Sequence, residues 1–329
     1  MDALCTQLRA LSPGIDAANA WPAESLDLLA EAGVYRWFVP QSHGGLAWSE
    51  ANITRGYVRL ASACLSTAFV LTQRSAACRR IASSTNAGLR DRLLPDLASG
   101  RIFATVGISH LSTSRRHLER PAMRARRKGS GYVLDGTSWW VSGAAQADHI
   151  LVGAEIDGQH LLALVPGSAV RVGPRIELVA LTSACTAAMH LDGVEVSPDD
   201  VVAGPAPPGI GMSRTGGTAG IQSSSLAVGL ARAAADLVAT EAVKRTYLVD
   251  PHRALTAEID ALESDLVAYA EGDDTHGKID LRLRANALAL GATQEALRVA
   301  KGAGYVAGRD PGRWCREALF FLVWSLPSG

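Results

Sequence analysis

Gly131-Tyr-Val-Leu-Asp-Gly-Thr-Ser-Trp-Trp-Val-Ser-Gly-Ala-Ala-Gln-Ala-Asp148 is where the periodicity of the chain is decided. Its start, Tyr132-Val-Leu, is a short β-branched and aromatic run that reads as a strand. Similar runs flank it: Ile150-Leu-Val-Gly, His160-Leu-Leu-Ala-Leu-Val and Met189-His-Leu, separated by Gly-Ser-Gly, Asp-Gly and Pro-Gly. Residues 103–210 are therefore expected to form a β domain, as a barrel or sandwich. Before it, Ser25-Leu-Asp-Leu-Leu-Ala-Glu-Ala, Tyr57-Val-Arg-Leu-Ala-Ser-Ala and Leu89-Arg-Asp-Arg-Leu-Leu-Pro-Asp-Leu carry helical spacing. After it, Ser225-Leu-Ala-Val-Gly-Leu-Ala-Arg-Ala-Ala-Ala-Asp-Leu-Val and Leu281-Arg-Leu-Arg-Ala-Asn-Ala-Leu-Ala-Leu-Gly restore that period. The expected class is α+β: a helical domain at 1–102, the β domain, and a helical bundle at 211–329. Strand–helix alternation of a parallel dinucleotide-binding sheet is absent from this order.

Composition narrows the function. Lys+Arg and Asp+Glu are both 32, which gives no electrostatic reason for a nucleic-acid or membrane-surface partner. The cluster Arg124, Arg126, Arg127, Lys128 is expected in a solvated turn. Cys5, Cys64, Cys78, Cys185 and Cys315 are odd in number and lack C-x-x-C spacing, so they read as reduced thiols with no metal site. No basic start followed by an apolar core and a cleavage site is evident, and no run of about 20 apolar residues occurs. The expected location is the cytoplasm. No fixed-period repeat is present.

Five segments, in order, carry a family resemblance: Phe38-Val-Pro-Gln-Ser-His-Gly-Gly-Leu46, Leu93-Leu-Pro-Asp-Leu-Ala-Ser-Gly100, Gly131 to Asp148, Leu191-Asp-Gly-Val-Glu-Val-Ser-Pro198, and Arg313-Trp-Cys-Arg-Glu-Ala-Leu-Phe-Phe-Leu-Val-Trp-Ser325. Together they resemble the acyl-CoA dehydrogenases over nearly the whole chain. The resemblance implies an acyl-CoA dehydrogenase-like fold and an FAD cofactor. It places Trp140 beside the flavin ring, and Ser142, where the family has threonine, at its N5 side. Alternating strand residues with one ring in the core would be the reading of Trp139 and Trp140 without that match. In Ile108-Ser-His-Leu-Ser-Thr-Ser-Arg-Arg116, Ser109 keeps a hydroxyl for the pyrimidine. Arg115 and Arg116 replace the family's Ser-Asp pair, which puts the usual acyl-CoA contacts in doubt while offering forked donors to phosphate groups. Lys244-Arg245-Thr-Tyr and Gly302-Ala-Gly304-Tyr stand where a neighbouring subunit completes the FAD site, implying a homodimer or homotetramer.

The same resemblance questions the chemistry. The family's catalytic glutamate falls on Ser325, and the alternative base position of some members falls on Ala219. A neutral serine cannot accept the α-proton without a second base. Glu317 matches a structural acid expected to pair with Arg313 or Arg316. His110 is a candidate substitute, since its charge can change near neutrality, with an ordinary loop histidine as the alternative. Three functions remain open at this point: an FAD-dependent oxidoreductase acting on an acyl thioester or related substrate with a non-standard or absent base; a flavin-dependent monooxygenase of the same fold; and a non-catalytic homologue acting as a binding or assembly partner.

Overall fold

The structure is a computed structural model and describes residues 1–111, 121–207 and 221–324. Arg115, Arg116, Ala219 and Ser325 lie outside the described residues. The chain opens with α1 (Asp2–Ala18), α2 (Ala23–Glu31), α3 (Glu50–Ala63), α4 (Leu65–Ala82) and α5 (Ala87–Ser99). Two starts are capped by side chains: Ser49 Oγ accepts from the Asn52 N–H at 3.3 Å, and Asn86 Oδ1 accepts from the Leu89 N–H at 3.1 Å. Gly100 ends α5 at φ 82°, and a Cβ there would lie 2.9 Å from the Ala30 Cβ, so both conformation and space require glycine.

Eight strands follow: β1 (Ala104–Gly107), β2 (Met123–Lys128), β3 (Gly131–Val141), β4 (His149–Ile156), β5 (Gln159–Pro166), β6 (Arg171–Arg175), β7 (Ala187–Val196) and β8 (Val201–Ala206). They form one mixed sheet in the order β6-β7-β3-β2-β4-β5-β8, with β1 parallel to β4. Period 2 assigns the faces. Leu151, Leu162 and Leu164 join the core shared with the helices, while Ile150, Val152, Leu161, Ala163 and Val165 join a second core with Met123, Leu134, Val141 and Met189. Since β2, β3, β4, β5 and β7 all contribute to that second core, the sheet curls around it. The basic cluster at 124–128 is strand β2, not a turn: its residues pair in antiparallel register with β3, and Lys128 and Arg126 meet Glu195 and Asp135 across the sheet.

The bundle comprises α6 (Ile221–Ala242), α7 (Val249–Ala270), α8 (Lys278–Gly304) and α9 (Asp310–Leu319). Helix α6 is buried nearly all round, and Gly229 lets it lie against α3: a Cβ at Gly229 would come within 2.4 Å of the Val58 carbonyl oxygen. Helices, curled sheet and bundle thus occur in the expected order. All five cysteines are free. Among the described residues no helix is long and apolar enough to cross a membrane, and no group of three His, Cys, Asp or Glu side chains forms a metal-binding cluster.

Candidate functional site

Two tryptophans that a regular strand would place on opposite faces are instead exposed together. The pairing of β3 with β7 shifts register between Ser138 and Val141. Ser138 and Val141 are buried, while Trp139 and Trp140 are 46% and 55% exposed. A bulge of this kind re-aims side chains and interrupts alternation. Trp139 lies edge-on to His190, with ring centroids 6.4 Å apart, and His190 Nδ1 is 2.9 Å from Thr137 Oγ1. Both indoles are thus left accessible at this end of β3, Trp139 beside His190.

Ser142 follows β3 directly. It is buried, its hydroxyl is hydrogen-bonded to Thr186 Oγ1 at 3.0 Å, and its carbonyl accepts from Thr105 Oγ1 at 2.7 Å. The second bond ties the end of β3 to β1. Beyond β1, Ser109-His110-Leu111 form a 3-10 turn. His110 Nε2 donates to the Gly153 carbonyl at 2.7 Å, and Nδ1 accepts from Ser138 Oγ at 3.4 Å. The turn carrying Ser109 and the bulge carrying Trp140 are therefore held beside one another. Thr105, Ser138 and Thr186 were not legible as site residues, because each acquires its role from a partner 28 to 44 positions away.

Burial pushes the His110 imidazole below its ordinary range, against the opposing effect of the Gly153 hydrogen bond. Burial does the same at His149. A folded-state pKa below the unfolded value of about 6.5 means that the unfolded chain binds more protons as pH falls. This contribution to stability is complete above about pH 6.5 and is lost as pH drops through the folded values. We expect Tm to fall on acidification from about pH 7 to 5, and to fall less steeply in His110→Gln, which keeps an N–H donor for Gly153. Equal slopes by calorimetry would exclude His110 as a source.

At the far end of α6, Arg245 bridges Glu241 Oε2 and the Val299 carbonyl, both at 2.7 Å. It joins α6 to α8 within its own chain, leaving Lys244 as the exposed cation of this pair. Gly302 is exposed, whereas Gly304 is buried: a Cβ there would lie 2.7 Å from Ala300 Cβ and 3.2 Å from Pro311 Cβ. Thus Gly304 serves the packing of α9. Just before Gly302 the backbone turns at Lys301, with φ 55° and ψ −147°. Val243, Tyr247, Tyr305 and Val306 are exposed at this end, an apolar surface of the sort that a protein contact covers.

Helix α9 carries the expected ion pair. Arg313 donates to Glu317 Oε1 at 3.1 Å, to Asp310 Oδ1 at 2.7 Å and to Ser12 Oγ of α1 at 2.7 Å, while Arg316 pairs with Asp16. Just past α9, Trp324 stacks on Phe320 with centroids 5.0 Å apart and meets Phe69 of α4 edge-on at 5.3 Å. Trp324 immediately precedes Ser325 in the sequence. Phe69 was not singled out in the sequence, since only the packing of α4 brings it here.

Comparison with known proteins agrees with this architecture. Residues 3–101 match the family "Acyl-CoA dehydrogenase, N-terminal domain". Benzylmalonyl-CoA dehydrogenase of Aromatoleum aromaticum is 27% identical, over 94% of this chain and 87% of that protein. FkbI, described as acting in biosynthesis of the methoxymalonyl extender unit of the Fk520 polyketide, is 26% identical with a TM-score of 0.83, covering 98% of this chain and 94% of that one. The oxygenase component of p-hydroxyphenylacetate 3-hydroxylase from Acinetobacter baumannii is 27% identical over 40% of this chain and 28% of its own. The chain is thus similar to the acyl-CoA dehydrogenases over nearly its whole length, and its first third matches their N-terminal domain. Residues 249–288 also match the family "Erythronolide synthase, docking". Here that segment is α7 and the first part of α8, and it buries Ile259, Leu262, Leu266 and Leu281 in the core, so it is an integral part of the bundle.

Proposed function

We propose that this protein is an FAD-dependent oxidoreductase acting on an acyl thioester or a related substrate, with a base that is non-standard or absent. The bulge that exposes Trp139 and Trp140 beside the buried Ser142 carries this reading. A planar cofactor needs an apolar wall and nearby hydroxyls, and Trp140, Ser142 and Ser109 supply these for the flavin ring. When bound, the flavin supplies the electron-accepting centre. The chain's own part is to orient it: Trp140 walls the ring, and the bond to Thr186 fixes the Ser142 hydroxyl. Lys244 and Gly302 of a second copy would approach the pyrophosphate or adenosine end, with Arg245 and Gly304 shaping the surface behind them. The exposed Tyr247 and Tyr305 support that contact, and the assembly is then at least a homodimer in the cytoplasm. The division at 102/103 and 210/211 belongs to the same reading.

Arg115 and Arg116 would meet phosphate groups of the thioester's carrier. His110 is a poor base for an α-proton, because both ring nitrogens are already engaged and its basicity is lowered. Neutral residues at both family base positions, together with the partial likeness to a hydroxylase component, favour a flavin-dependent monooxygenase as the second reading. Ser142→Ala should weaken flavin binding by about 1 kcal/mol, roughly fivefold, if its hydroxyl contacts the ring. Flavin titration checks this. Unchanged affinity and an unchanged flavin spectrum would remove Ser142 from the site.

A further inference from the structure

Lys301, where α8 breaks, has φ 55° and ψ −147°. That pair lies outside the left-handed helical well, in a region open to glycine and strained for a residue with a Cβ. The turn contains two glycines, Gly302 and Gly304, yet neither takes a positive φ, and the strained conformation falls on the lysine that precedes them. Packing does not account for it. Lys301 is exposed, and among the described residues its ammonium has no hydrogen bond or ion pair.

Two contacts fix its surroundings. Arg245 donates to the Val299 carbonyl at 2.7 Å, and Val299 packs with Val238, Ala242 and Leu248, so the break at Lys301 sits beside the turn Thr246–Leu248. The carboxylates nearest in sequence to these two turns are already paired: Glu241 with Arg245, Asp250 with Arg253, Glu295 with Arg298 and Asp310 with Arg313. Lys244, Lys301 and Arg309 remain as exposed cations, near the exposed rings of Tyr247 and Tyr305. Cations without nearby counter-charge, set among aromatic faces, suit an anion that carries a flat ring, and a nucleoside phosphate ester has both parts.

We propose that Lys301 is a further cofactor-binding residue, its ammonium on the pyrophosphate of a flavin dinucleotide held by a second copy of this chain. This role rests on the flavin reading above, which draws on Lys244 and Gly302 and gives Lys301 no part. The charge-assisted contact with the phosphates offsets the strain in the lysine backbone, so that strain and binding meet in one residue. Glycine at 301 relaxes the turn and removes the contact. Methionine keeps the strain and removes the charge, whereas arginine keeps both.

The test compares the native chain with Lys301→Gly, Lys301→Met and Lys301→Arg by titration with FAD and with riboflavin, which lacks the pyrophosphate, and by Tm without cofactor. Lys301→Gly and Lys301→Met should bind FAD about tenfold more weakly, with riboflavin affinity unchanged, while Lys301→Arg stays near the native value. The FAD difference should narrow as sodium chloride is raised, because an exposed charge contact is screened. Tm should rise by about 2–4 °C in Lys301→Gly alone. Light scattering at the titration concentration should give the native mass for every variant. Equal FAD affinity in all four proteins, an equal loss for riboflavin, an unchanged Tm in Lys301→Gly, or a loss confined to variants that dissociate would each overturn the role of Lys301 and leave the flavin reading standing. Failure of the native chain to bind FAD would overturn both.

Discussion

Replacing Arg313 by alanine is expected to lower stability by about 3–5 kcal/mol, the range for removing one partner of a buried ion pair. Arg313 and Glu317 are 4% and 1% exposed. Burial opposes the Arg313 charge, yet Glu317 and Asp310 outweigh it and its pKa is raised. At Glu317 burial raises the pKa and Arg313 pulls it down. Without Arg313, the Glu317 carboxylate would be left buried in the bundle, and Ser12 of α1 would lose its donor. Two controls separate this from general surface effects. Arg316→Ala removes the more exposed pair with Asp16 and should change stability by no more than about 1 kcal/mol. Arg313→Met combined with Glu317→Gln removes both charges together, so its cost should fall below the sum of the single changes. Denaturant unfolding of these three variants, and of the single changes Arg313→Met and Glu317→Gln, reads these differences. A cost for Arg313→Ala no larger than that of Arg316→Ala would mean that the pair does not tie α9 to α1.

The second large effect is chemical. Ordinary acyl-CoA dehydrogenation should be very slow in the native chain, and Ser325→Glu should accelerate it by about 10²–10⁴-fold, the usual contribution of a placed base. Anaerobic mixing of flavin-loaded protein with a panel of acyl-CoAs, followed by flavin bleaching, measures both. Bleaching confined to the glutamate variant would show that the thioester site persists without its base. Rapid bleaching by the native protein that persists in His110→Ala would require a base other than those considered above.

Much of this was legible where chemistry is local. The change of period at Tyr132 announces the sheet, and the four-residue spacing of Arg313 and Glu317 puts them on one helical face. What was not legible depends on distant partners. The bulge at Trp139–Trp140 arises from the way β3 is paired with β7, so alternation along β3 cannot reveal it. The basic run at 124–128 looks like a turn until Glu195 and Asp135 face it across the sheet. Likewise, Gly302 and Gly304 look alike in sequence, but Ala300 and Pro311 occupy the space that a Gly304 side chain would need.

Flavin binding tests the central claim most directly. The purified chain, equilibrated with micromolar FAD and freed of unbound cofactor, should retain a flavin absorption spectrum in a species of at least dimeric mass by light scattering. A colourless monomer after the same treatment would contradict the account and leave the fold as that of a non-catalytic homologue.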